Sequence, residues 1–223
     1  SYYFYAPMIM TPFDDSALKI AEFLLQIKAI KLQPETPFTW ASGWKSPIYC
    51  DNRKTLSYPS IRTFIRQQFV SLINEKYGMP DAIAGVATGG IAIGALVAQE
   101  MGLPFVYVRS EAKKHGLTNM IEGVIEKDQK VVVIEDLIST AGSSLKAVEA
   151  LREHGCNVKG MVAIFTYGFD TATETLKNAN CSTNTLCDYE TLIKVAVKHN
   201  YITENDLESL KKWLESPSTW KQS

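Results

Sequence analysis

The chain has 223 residues, 46% hydrophobic and 21% charged, a balance that fits a folded globular protein and excludes a disordered or collagen-like one. Its 23 Lys and Arg against 24 Asp and Glu give a formal net charge of −1. That offers no general field for nucleic acid, so an anionic ligand must be held by a local cluster. Cys50, Cys156, Cys181 and Cys187 show no CxxC spacing, which predicts reduced thiols and a cytoplasmic location.

Ser1 to Met10 lack a basic n-region, and Pro7 interrupts their short apolar stretch, so they make a poor signal peptide. From Asp15 to Lys31, apolar residues such as Leu18, Ala21, Leu24 and Ile27 recur at helical spacing and predict a helix ended by Pro34 and Pro37. Phe38 to Leu56 is aromatic and turn-rich, and reads as short strands and loops. Pro59 then opens an amphipathic helix that reaches Gly78. Between Ala82 and Gln99 no residue is charged, a length that touches the membrane threshold. Thr88-Gly89-Gly90 in its middle favours a strand (Ala82–Val86), a glycine turn and a buried helix (Ile91–Glu100) in a soluble protein.

Further strands are expected at Phe105–Val108, Lys130–Ile134 and Val158–Phe165, with a helix at Ser143–His154 and helical segments at Tyr189–Lys198 and Glu204–Leu214. Strands alternating with helices predict an α/β fold with a doubly wound, mostly parallel sheet. One domain is expected: residues 1–57 as an N-terminal helix and hood, residues 58–223 as core and C-terminal helices. Ligands of such sheets bind beyond the carboxyl ends of the strands. Three loops fall there, Ala87–Gly90, Ser110–Met120 and Glu135–Ser144.

The strongest motif runs from Val131 to Ser144. A buried strand delivers Glu135 and Asp136, and then Leu137 and Ile138 lead into Ser139-Thr140-Ala141-Gly142-Ser143 at a helix start. Backbone N–H groups and hydroxyls of that turn can wrap a phosphate at the positive end of the helix dipole. The carboxylates cannot bind that phosphate; they suit ribose hydroxyls or water on magnesium, so a phosphorylated pentose joins the two halves. A second motif, Gly85 to Gly90, lets the backbone at Thr88 and Gly89 approach a ligand closely. A third gathers Arg109, Lys113, Lys114 and His115 in one loop with Gly116 and Asn119, polar enough to be mobile. A fourth, Phe38 to Arg53, reads either as an aromatic cover on the sheet or as a hood over a planar base. The histidines form no metal motif.

The acidic string resembles the phosphoribosyl-diphosphate motif of type I phosphoribosyltransferases. The Arg109 and Lys113-Lys114-His115-Gly116 pattern is similar to the mobile catalytic loop of the orotate phosphoribosyltransferases, and Ser42-Gly43-Trp44-Lys45-Ser46-Pro47-Ile48-Tyr49 with Asp51-Asn52-Arg53 resembles their hood. The resemblance implies the type I phosphoribosyltransferase fold and transfer of phosphoribose to orotate. It implies Lys113 as the leading catalytic residue, with Arg109 and His115 assisting. Arg109, Lys113, Lys114, His115, Thr88 and Gly89 would meet the diphosphate, Glu135 and Asp136 the ribose, and Ser139, Thr140, Ala141, Gly142 and Ser143 the phosphate, with Leu137 and Ile138 also in the phosphoribosyl-diphosphate site. Ser139, Lys45 and Arg53 would face orotate. Magnesium would ride mainly on the substrate near Glu135 and Asp136, and a homodimer would share its active sites. The chain departs from some members at Ala41, Ser110 and Tyr167-Gly168; the last replaces an Asp-Arg pair whose Arg meets the orotate carboxylate, which leaves Arg53 as the expected partner. The rivals are a purine phosphoribosyltransferase and a non-catalytic nucleotide sensor on the same fold.

Overall fold

The computed structural model describes residues 12–111 and 120–221. Helix α1 spans Pro12–Gln26 and buries Ile20, Ala21, Leu24 and Leu25. It stops short of the expected Lys31 because Lys28 takes a left-handed φ of 58°, and Ile30–Leu32 extend instead as β1. Strands β2 (Phe38–Thr39) and β3 (Lys45–Ser46) form one antiparallel ribbon. Strand β4 (Ile48–Cys50) pairs antiparallel with β1, and together these ribbons are the hood. A 3-10 turn at Asn52–Ser57 leads into α2 (Pro59–Tyr77). Pro59 suits that helix's first turn, where its missing N–H costs nothing, and Ile61, Ile65, Phe69, Leu72 and Ile73 form its buried face.

The uncharged run divides as its glycines predict, into β5 (Ala82–Val86), buried at every position, a turn, and α3 (Ile91–Met101). Strands β6 (Phe105–Val108), β7 (Ile121–Glu122) and β8 (Lys130–Ile138) follow. Then come α4 (Gly142–Glu153), β9 (Asn157–Thr166), α5 (Asp170–Asn178) and β10 (Thr183–Asp188). Helices α6 (Tyr189–Lys198) and α7 (Leu207–Glu215) end the described chain, with a 3-10 turn at Glu204–Asp206 before α7. The main sheet has six strands in the order β10-β9-β8-β5-β6-β7, parallel except for β7. Among the described residues no helix is long and apolar enough to cross a membrane.

Two differences from the sequence reading matter for the site. Strand β8 does not end at Ile134 but runs through the acidic pair, with Glu135 opposite Ala163 and Ile138 opposite Thr166. The carboxylates are therefore part of the sheet rather than of a loop. Elements β7, α5 and β10 were not expected: two residues carry no periodicity, and DTATETLKN and TNTLCD are too polar to show an apolar face. The chain leaves β5 toward β6 on one side, while β8, β9 and β10 extend the sheet on the other. The crevice at the carboxyl ends of β5 and β8 is thus the topological switch point, where such sheets bind ligands.

Candidate active site

Both backbone motifs converge on that crevice. After β5 the chain turns at Ala87–Gly90, with a cis peptide between Ala87 and Thr88 and a hydrogen bond from the Gly90 N–H to the Val86 carbonyl at 2.8 Å. A Cβ on Gly89 would fall on the Asp136 carboxylate, and one on Gly90 on the Ile134 carbonyl. Glycine is required here because two strand ends meet through bare backbone.

Glu135 is 5% exposed and Ser144 2%. The Ser144 hydroxyl donates to Glu135 Oε2 at 2.7 Å, and the Asp136 N–H donates to Glu135 Oε1 at 2.9 Å. Burial foremost, then the hydrogen bond and charge of Asp136, push the Glu135 carboxyl up from 4.5 to about 8. Glu135 therefore keeps its proton near neutral pH, and Asp136, half-exposed, is the member open to the crevice. A carboxyl raised in the fold holds its proton more tightly than in the unfolded chain. Its contribution to stability is complete below about 4.5, shrinks as pH rises, and is gone above about 8. Glu135→Gln, which cannot ionise, is expected to flatten the fall of melting temperature across that window. Parallel curves for the two proteins would show that Glu135 does not titrate there.

Beyond β8, Ala141 takes a left-handed φ of 72° immediately before α4. A left-handed alanine costs about 1–2 kcal/mol, and a left-handed residue next to right-handed helical backbone is the kind of geometry in which successive N–H groups can form an anion-binding concavity. Thr140, Gly142 and Ser143 are exposed around it, and Ser139 is half-buried. The expected phosphate turn, Ser139 to Ser143, therefore follows directly on the strand end that carries Asp136, against which Gly89 packs.

The hood is fastened to the acidic strand. Asn52, 2% exposed, donates from Nδ2 to the Asp136 carbonyl at 2.9 Å. Its own Oδ1 accepts from the Cys50 thiol at 3.2 Å, and burial pushes that thiol's pKa up, keeping it a donor. Trp40 bonds the Ile48 carbonyl through Nε1 at 3.0 Å and packs on Tyr167 and Trp213 with ring centroids 5.8 Å away. Between hood and phosphate turn lies a cavity of about 290 Å³, walled by Trp40, Trp44 and Phe169, floored by Ser139 and Thr140, and closed by Leu214 to Ser218.

Of the expected cations, Arg109 lies at the end of β6, its Nη1 3.4 Å from Glu122, and its N–H donates to the Met120 carbonyl at 2.7 Å. Lys113, Lys114 and His115 lie outside the described residues. Arg53 is exposed and bonded through Nε to Asp51 at 2.9 Å, with Asp136 also acting on its charge. Lys45 reaches Thr39 Oγ1 at 3.2 Å and does not line the cavity. The sequence reading places Ser144 at the end of the acidic motif and Trp40, Trp44 and Asn52 within the hood motif without giving them individual roles, and it does not anticipate Phe169. Membership of the hood motif is the signal for Asn52, whereas nothing local in the sequence tells that Ser144 turns inward to Glu135.

Residues 59–198 match the phosphoribosyl transferase domain family. Over 201 residues the chain is 61% identical to an orotate phosphoribosyltransferase of Phocaeicola vulgatus, spanning 90% of this chain and 95% of that one. The crystal structure of orotate phosphoribosyltransferase from Aeropyrum pernix is similar with a TM-score of 0.72 and 27% identity, over 82% of this chain and 99% of that one. The UMP synthase of Leishmania donovani is similar with a TM-score of 0.76 and 28% identity over 91% of this chain, which spans only 43% of that protein. The chain belongs to the phosphoribosyl transferase domain family and, within it, to the orotate phosphoribosyltransferases.

Proposed function

We propose that the chain transfers the 5-phosphoribosyl group of phosphoribosyl diphosphate to orotate, giving orotidine 5′-monophosphate and diphosphate in pyrimidine nucleotide synthesis. The observation that carries this reading is the meeting of the carboxylate pair, the phosphate turn and the Gly89 turn at one switch point. High identity to an orotate enzyme favours orotate over a purine base.

In the reaction the bond from ribose C1 to the diphosphate oxygen breaks and a bond from C1 to orotate N1 forms, through an oxocarbenium-like transition state, with the N1 proton passing to the departing diphosphate or to water. The protein's part is orientation and charge. Asp136 accepts from the ribose hydroxyls, seated by Asn52 behind it and steadied by Glu135 beside it. The N–H groups around Ala141 and the hydroxyls of Ser139, Thr140 and Ser143 hold the 5′-phosphate. Thr88 and Gly89 line the side toward diphosphate, where Arg109 brings a fixed positive charge, and the family pattern adds Lys113, Lys114 and His115. The planar base lies against the aromatic walls of the cavity, with Arg53 or Lys45 turning toward its carboxylate.

Among the described residues no three carboxylates, thiols or imidazoles cluster into a metal cage. Two adjacent carboxylates beside a phosphate turn fit magnesium, which uses one or two protein carboxylates and keeps its waters and substrate phosphates. Asp136 would hold such an ion through water, and the ion would offset the charge of the diphosphate. The same reading includes a homodimer with shared active sites and a cytoplasmic location, in keeping with the four free thiols.

Orotate absorbance is expected to fall when the protein meets orotate, phosphoribosyl diphosphate and magnesium, with adenine, guanine and hypoxanthine left unconverted. Turnover of a purine in place of orotate would move the chain to a different base specificity.

A further inference from the structure

Ser144 lies one residue beyond the phosphate turn, in the first turn of α4. Serines at helix starts usually serve as caps or face water. Ser144 instead points into the sheet, buried, with its hydroxyl on Glu135 Oε2 at 2.7 Å. Further along, α4 is held by apolar side chains, Ala147, Val148 and Leu151. At its ligand end the tie to β8 is this hydrogen bond, and β8 carries the carboxylate pair while α4 carries the phosphate turn.

We propose that Ser144 is a positioning residue for the phosphoribosyl group: its bond to Glu135 fixes the distance between the turn that holds the phosphate and the carboxylates that hold the ribose. The proposal rests on the reading of the site as a phosphoribosyl site. A ligand with both a phosphate and a ribose spans the two halves and feels their spacing, whereas a phosphate alone occupies one half. Glu135 and Ser144 are adjacent only in the fold, being nine positions apart in the chain. Removing the hydroxyl also leaves Glu135 Oε2 buried without that donor, and hydrogen bonds to such groups are worth about a tenfold change in equilibrium or more.

The test uses titration calorimetry on the intact protein with two probes, ribose 5-phosphate and inorganic phosphate, alongside steady-state kinetics. Ser144→Ala is expected to weaken ribose 5-phosphate about tenfold and inorganic phosphate less than about twofold. The KM for phosphoribosyl diphosphate should rise by the same factor with kcat little changed, the pattern of lost uniform binding. Ser144→Thr, which keeps the hydroxyl, should restore both values. Should the alanine variant not fold, Ser144→Cys fills the same space with a weak donor and should show the same split between probes. Unchanged affinity for ribose 5-phosphate overturns the proposal. An equal loss for both probes overturns it too, since Ser144 would then shape the phosphate turn itself. Failure of the unaltered protein to bind ribose 5-phosphate would instead reject the phosphoribosyl reading on which it rests.

Discussion

Replacing Gly89 with alanine is expected to lower kcat/KM for phosphoribosyl diphosphate by about 10²-fold while the protein stays folded, because misplacing a substrate-orienting group by an ångström costs about that much. The added Cβ falls on the Asp136 carboxylate, and neither backbone has an easy retreat. The backbone of Asp136 is held on one side by Asn52 at 2.9 Å and on the other by its N–H on Glu135 at 2.9 Å. Gly90 cannot back away, because its N–H is bonded to the Val86 carbonyl at 2.8 Å and even a Cβ added to it would fall on the Ile134 carbonyl. The flexible element is the Asp136 side chain, so the strain is expected to be relieved by swinging that carboxylate away from the position proposed for the ribose. Steady-state kinetics with a parallel melting curve make the measurement. A folded Gly89→Ala protein with near-normal kcat/KM would show that ribose binding does not depend on where Asp136 now points.

The parts of this protein that could be read from sequence are those written in strong local patterns. Four apolar residues before two acids announce a buried strand, and the uncharged run from Ala82 resolves at its glycines into β5, a turn and α3, as the spacing predicts. What could not be read was set by tertiary pairing. Ile30–Leu32 continue a helical pattern, yet the left-handed Lys28 releases them to pair with Ile48–Cys50, and that pairing makes one of the hood's two ribbons. β10 is polar because it is an edge strand beside β9, a position that does not demand an apolar run. At the site, the residue types were legible and their partnerships were not. Glu135 and Asp136 look equivalent as letters, but the fold buries one against Ser144 and leaves the other facing the crevice. Ala141 in a left-handed conformation is likewise invisible in a string where glycine would have been the signal.

Lys113→Ala is expected to reduce kcat by about 10²–10³-fold with a much smaller change in KM, the size typical of removing one preorganised charge from a developing anion. Lys113 lies outside the described residues, so the expectation rests on the family pattern and on where the chain enters and leaves that segment. Entry and exit are joined by the Arg109 N–H on the Met120 carbonyl at 2.7 Å, at the end of β6 beside the Gly89 turn. Arg109 alone is an incomplete answer to departing diphosphate, because Glu122 at 3.4 Å already draws on its charge. On the proposed reaction a second cation would serve as the C1–oxygen bond breaks, and its worth would grow with the charge released, which is why kcat should fall more than affinity. The same variant also asks which subunit that cation serves. In the homodimer proposed above, mixing Lys113→Ala subunits with subunits carrying Glu135→Gln and Asp136→Asn would give hybrids in which shared sites place both defects in one site and none in the other. Activity is then expected to return as subunits exchange, toward one intact site per hybrid. Confirmed exchange without recovered activity would assign each loop to its own subunit, and a Lys113→Ala protein with near-normal kcat would remove the lysine from the chemistry altogether.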